Sequence, residues 1–187
     1  MVSLSSLWLP IVISAVVVHI ASAVAWMVLP HHRSDFKKLP NEDDAMAALK
    51  KQGLAAGQYN FPHCDSHKEM KDPAWQAKVK EGPVGMLTIF PPGGANMGKS
   101  IGLHLVHCLV VAVFVAYLAG HVLAPGAQYL AVFRVVGTAA FLAWAGGLPV
   151  NANWFGRPWS QVFKDTIDSL VYALLTAGVF GWLWPKV

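Results

Sequence analysis

Four long apolar runs dominate the chain, at residues 7–29, 101–123, 128–148 and 163–184, and a polar stretch separates the first from the rest. Each run has about the 20 residues that a helix needs to cross a hydrocarbon layer. Inside lipid the backbone has no water to bond, so such runs must be helical. The pattern predicts an all-α membrane protein with four transmembrane helices. Residues 1–30 supply the first helix, 31–100 a polar segment of short helices and turns, and 101–187 the other three helices. Ala21-Ser22-Ala23 resembles a leader-cleavage site, but no Lys or Arg falls between Met1 and Trp8. That favours a retained helix.

Within the polar segment, Pro40-Asn41 followed by Glu42, Asp43 and Asp44 reads as a helix start, with acids at the positive end of the dipole. Lys50, Lys51 and Gly53 close that helix. Asp72-Pro73 opens a second, which ends near Gly82-Pro83. Residues 84–90 are apolar and extended, and Pro91-Pro92-Gly93-Gly94 breaks them. Few large apolar residues are available there for a core.

Small residues recur every four positions in the apolar runs. Cys108, Ala112, Ala116 and Gly120 form one such line; Ala139, Ala143 and Gly147 a second; Ser169, Ala173, Ala177 and Gly181 a third. Ala15, His19 and Ala23 make a weaker line in the first run. In lipid, close backbone approach through small residues drives helix association, so these lines predict a tight bundle. A tight bundle of four helices leaves little room for a wide channel.

Composition and charge refine this picture. Hydrophobic residues make up 55% and charged residues 13%, which excludes an ordinary soluble domain. The net charge of +4 comes from mixed signs confined mainly to one stretch, which excludes a nucleic-acid footprint. Trp8, Trp26, Trp154, Trp159, Trp182 and Trp184 lie near the ends of the runs, where interfacial rings belong. Arg33, Lys37, Lys38, Lys99, Arg157 and Lys164 all fall on one side. By the positive-inside rule both termini are then periplasmic and residues 31–100 cytoplasmic. Cys64 and Cys108 lie at different depths, so no disulfide is expected.

Candidate chemistry is sparse. His104, His107 and Cys108 share a helical face, and Asp168 enters from the same side of the membrane on the last helix. An ionisable group at such depth needs a partner or water, so these four form the leading metal or proton-relay candidate. His63, Cys64 and His67 are a second metal candidate, which His31 and His32 could complete as a zinc site. His19 and His107 differ in depth by roughly 6 Å from helix rise, which strains a b-type haem. Residues 93–100 read GGANMGKS and match a phosphate-binding loop. The helix that follows is a membrane span with no parallel sheet behind it, so no nucleotide is expected. Arg134 lies about two turns into the third run and calls for a lipid headgroup or a protein partner.

The stretches HRSDFKKLPNEDDAM, KEMKDPAWQAKVKEGPVGMLTIFPP, MGKSIGLHLV and SLVYALLTAGVFGWLWP resemble a family of small bacterial four-helix integral membrane proteins. The resemblance runs from about His32 to Pro185 and implies a multi-pass protein of the bacterial inner membrane. It implies no activity, no catalytic residue and no particular cofactor. The expected role is a non-enzymatic accessory or scaffold subunit of a membrane complex, surrounded by lipid and by other subunits or copies of itself. The rival expectations are a metal- or haem-binding redox protein and an oligomeric ion or proton transporter.

Overall fold

The computed structural model of the protein describes residues 1–94 and 96–186. It is 66% helical and divides into two units, one of Met1–Phe36 with Met97–Val187 and one of Lys37–Asn96.

Helix α1, Trp8–Ala23, opens with Pro10 in its first turn, where a missing N–H costs nothing. It runs on into a π-helical turn at Val24–Val28, closed by Leu29 N donating to Val24 O at 3.0 Å. Leu29 is extended because it precedes Pro30, whose ring disfavours helical backbone in the residue before it. Helices α4 (Met97–Val122), α5 (Tyr129–Ala145), α6 (Leu148–Phe155) and α7 (Trp159–Trp182) complete this unit. Among the described residues, three helical stretches are long and apolar enough to cross a membrane: Leu4–Val28, Met97–Val122 and Tyr129–Phe155. The last of these joins α5 to α6. The expected fourth span folds as α7 but does not meet that standard. Lys164, Asp165 and Asp168 all lie in its N-terminal part and interrupt the apolar run.

The core of the helical unit contains Leu7, Val18, Val115, Val132, Val136 and Phe180, all fully buried. The small-residue lines of α4 and α7 lie in this interior: Cys108, Ala112, Ala116, Ser169, Ala173 and Ala177 are buried. A Cβ on Gly120 would come within 2.5 Å of the Val2 carbonyl oxygen. Gly120 thus lets the N-terminal segment close on α4, where Val2 N donates to Gly120 O at 2.8 Å. On α5 the expected line is displaced. Val132, Val136 and Ala140 are buried, whereas Ala143 and Gly147 are exposed and Ala139 is half-buried. The facing helix α7 is already lined by alanines, and valines on α5 supply the missing volume. The outward faces carry large apolar side chains, including Leu103, Phe114, Leu142, Phe163 and Trp182.

The second unit holds α2 (Glu42–Lys51) and α3 (Pro73–Glu81), with Asp72 capping α3 by accepting from Ala74 N at 2.9 Å. It departs from the all-α expectation. Strand β1, Gly57–Phe61, pairs antiparallel with β2, Gly85–Ile89, so that Tyr59 faces Leu87. The extended reading of residues 84–90 anticipated β2; the short polar sequence GQYNF hid its partner. None of the described residues 37–96 is buried. In the GGANMGKS stretch, Gly93 and Gly94 take positive φ and Gly98-Lys99-Ser100 lie in the first turn of α4; Ala95 lies outside the described residues.

At the α5–α7 contact a Cβ on Gly137 would meet the Ala177 Cβ at 3.3 Å, whereas nothing lies within 4 Å of one on Gly147. Overpacking costs about 1–3 kcal/mol, so Gly137→Leu should lower Tm by roughly 5–10 °C. Gly147→Leu should leave it nearly unchanged. Thermal melts of both variants in detergent check this.

Candidate functional site

The π turn that ends α1 and the bend at Pro30 bring a short turn, Pro30 to Asp35, against α7. The turn is held by Arg33 N donating to Pro30 O at 3.1 Å and Asp35 N to His32 O at 3.0 Å. Trp26, within the π turn, stacks flat on the His32 ring with centroids 3.9 Å apart. From α7, Gln161, Lys164 and Asp168 reach the turn. Their spacings of three and four put them on one helical face. Gln161 Nε2 donates to the Asp35 carbonyl at 2.6 Å, and Lys164 Nζ donates to the Asp35 carboxylate at 2.6 Å and to Ser34 Oγ at 2.9 Å.

His32 is the hub. Its Nδ1 lies 2.6 Å from Asp35 Oδ2 and its Nε2 lies 2.8 Å from Asp168 Oδ2. His31 Nε2 reaches the same Asp168 carboxylate at 3.2 Å. The His32 and Asp35 side chains are only 3% and 1% exposed, while His31 is 32% exposed and open to solvent. One nitrogen each from His31 and His32 and one Asp168 oxygen lie within 4.8 Å of one another.

Two carboxylates around one imidazole set its charge. Burial opposes the imidazolium, but hydrogen bonds and charge from Asp168 and Asp35 outweigh it and hold the His32 pKa above the ordinary 6.5. Burial likewise opposes the Asp35 carboxylate, but Lys164 and His32 outweigh it and hold its pKa below 3.8. The arrangement can do two things chemically. With His32 protonated, it is a charged clamp joining the turn to α7. With His32 neutral and its Nδ1–H donated to Asp35, the Nε2 lone pair is directed to a cation shared with His31 and Asp168. A carboxylate behind a ligating imidazole is the usual support of a metal-bound histidine.

Comparisons with protein-family models, with curated proteins and with solved structures return no match.

The residues singled out in the sequence fall into separate places. His104 and Cys108 stand together, with His104 Nε2 3.7 Å from Cys108 Sγ, and their third neighbour is His19. His107 instead meets the edge of Trp144, centroids 5.1 Å apart. Asp168 is engaged by His31 and His32, so the expected quartet of His104, His107, Cys108 and Asp168 does not converge on one point. The His19 ring lies tilted against that of His104, centroids 5.2 Å apart, rather than pairing with His107 as a haem would need. His63 bonds Asp65 at 2.9 Å, and the Cys64 thiol donates to Ser66 O at 3.0 Å. His63, Cys64 and His67 are not among the converging ligand groups of the described residues. Cys64 and Cys108 are both free thiols. Asp165 pairs with Arg157 through one carboxylate oxygen and leaves the other buried without a partner. Arg134 is exposed on α5 and has no ion-pair or hydrogen-bond partner among the described residues. It borders an apolar groove with Leu118, Val122 and Leu142.

The sequence groups His31 and His32 with His63, Cys64 and His67; their contact with Asp168 is not legible there, because Asp168 lies 136 residues from His32. The local signal was the His32-to-Asp35 spacing, which places a carboxylate behind a histidine within one turn.

The pH response follows from the two shifts. The raised His32 pKa gives stability that is complete below the ordinary histidine range and is lost as pH rises through the folded-state value. The lowered Asp35 pKa gives stability present above the ordinary carboxylate range and lost as pH falls through its depressed value. Metal-free protein should therefore melt at a falling temperature as pH rises from 6.5. His32→Gln should flatten that alkaline fall and lower Tm at pH 6 by about 5–10 °C, since breaking a buried pair costs a few kcal/mol. Melts across pH, with chelator present, measure both.

Proposed function

We propose that this chain is a multi-pass protein of the bacterial inner membrane that binds a divalent transition-metal ion through His31, His32 and Asp168. The observation that carries the reading is the convergence of these three ligands with Asp35 behind His32. Two imidazoles and one carboxylate suit a first-row divalent ion, and such a set leaves coordination positions for water or substrate. The exposure of His31 gives those positions access to solvent.

The membrane reading rests on the three apolar helices and on the large apolar side chains that face outward. We take α7 as a fourth span. Its charged residues are compatible with that, because Lys164, Asp165 and Asp168 are paired with Asp35, Arg157 and the two histidines. The Lys and Arg distribution favours a cytoplasmic metal site and periplasmic termini.

Equilibrium dialysis of the detergent-purified protein against Zn(II), and anaerobically against Fe(II) and Mn(II), tests the site. A single tightly held equivalent is expected. His31→Ala should weaken it by at least about 100-fold, and Asp35→Asn by about 10–100-fold. His31 is the least buried of the ligands, so its variant folds even if the Asp168 variant does not. Binding unaltered by His31→Ala would refute the assignment.

Arg134 favours a second reading, a non-enzymatic subunit of a membrane complex. An exposed guanidinium beside apolar groove residues fits an acidic partner protein or a lipid headgroup. Purification in mild detergent should yield a co-purifying membrane protein that Arg134→Leu releases. A lone monomer from both would count against it.

A further inference from the structure

Apart from the site above, the helical unit brings together a second set of ligands that the proposed function does not use. His19 is on α1, and His104 and Cys108 are one turn apart on α4. A ring nitrogen of each histidine and the Cys108 sulfur all lie within 4.8 Å of one another. His19 Nδ1 is buried with no hydrogen-bond partner, an uncompensated cost in the interior. His104 Nε2 bonds Ser22 Oγ at 2.7 Å, and Ser22 in turn donates to the His19 carbonyl at 2.8 Å. Ser22 is thus tied to its own helix and holds the His104 ring toward α1.

We propose that His19, His104 and Cys108 form a site for Cu(I). Distance fits a bound metal ion, and softness and charge select which one. The first argument is distance. Metal–sulfur and metal–nitrogen bonds of about 2.3 and 2.0 Å, at trigonal angles, separate the two ligand atoms by about 3.7 Å. The Cys108 Sγ to His104 Nε2 distance is 3.7 Å. The second is softness, because a thiolate with two imidazoles suits a soft monovalent ion. The third is charge. One thiolate, one Cu(I) and two neutral imidazoles sum to zero, whereas a divalent ion would leave an uncompensated positive charge in the apolar interior. On binding, Cys108 loses its thiol proton to solvent as the copper–sulfur bond forms. The His104 proton that Nε2 shares with Ser22 Oγ moves to Nδ1, and Nε2 exchanges its Ser22 bond for the metal. No electron is transferred.

This site is independent of the His31–His32–Asp168 site, and the two fail separately. Full-length protein in detergent is loaded anaerobically with Cu(I) under ascorbate and challenged with bicinchoninate. A single Cu(I) retained per chain is expected, with one sulfur and two nitrogen scatterers in X-ray absorption. Cys108→Ser and His19→Gln should each weaken retention by at least about 100-fold. His31→Ala should keep Cu(I) while losing the divalent ion. Complete loss of copper to the chelator would overturn the proposal. So would a sulfur-free absorption spectrum of the wild-type protein, which needs no variant to fold. Preferential uptake of Zn(II) by the Cys108-dependent site would overturn the choice of ion.

Discussion

The helical unit depends on one buried imidazole held between two carboxylates. His32 joins Asp35, in its own turn, to Asp168 on α7, and Lys164 from the same helix completes the charge balance on Asp35. Removing any one member would leave a buried charge uncompensated, which is far more costly than the pair is stabilising. For that reason the turn after α1 belongs with the helices. Residues up to Phe36 group with them rather than with the polar unit, although their composition is polar.

The clamp also explains how α7 can carry acids and a lysine among apolar neighbours. Each charged group there has a partner supplied by the turn or by Arg157. The rest of α7 packs through Ser169, Ala173 and Ala177, so its C-terminal part has the same close-packed character as α4. Charge pairing at one end and small-residue contact along the remainder are complementary devices. The first fixes the register of α7 against the end of α1, and the second lets the backbones approach.

The two histidine groups differ in ways that match different ions. The group at the turn offers one carboxylate with two imidazoles, is partly open through His31 and is supported by Asp35, which suits a divalent cation. The group between α1 and α4 contains a thiol, two imidazoles and no carboxylate, which suits a soft monovalent one. Trp26 stacks on His32, and Ser22, one turn earlier on α1, bonds His104. The same helix end therefore touches both groups.

Much was legible in the order of residues. Apolar run length is a local property, and it located α1, α4, α5 and α7. Proline, glycine and paired charges located α2 and α3 for the same reason. Strand β1 was hidden because GQYNF has no apolar alternation, and its pairing with β2 is a non-local choice. On α5 two lines spaced by four lie side by side, and only the facing surface of α7 selected the valine one. His104 and Cys108 could be grouped because helical periodicity sets residues four apart on one face. Their third neighbour, His19, and the partnership of His32 with Asp168, depend on how separate helices pack. Sequence alone determined where α1, α4, α5 and α7 lie and which groups are costly to bury; α6 was beyond the apolar runs. The packing of the helices decided which of those groups meet, because contact across a bundle is set by the fit of whole surfaces rather than by spacing along one chain.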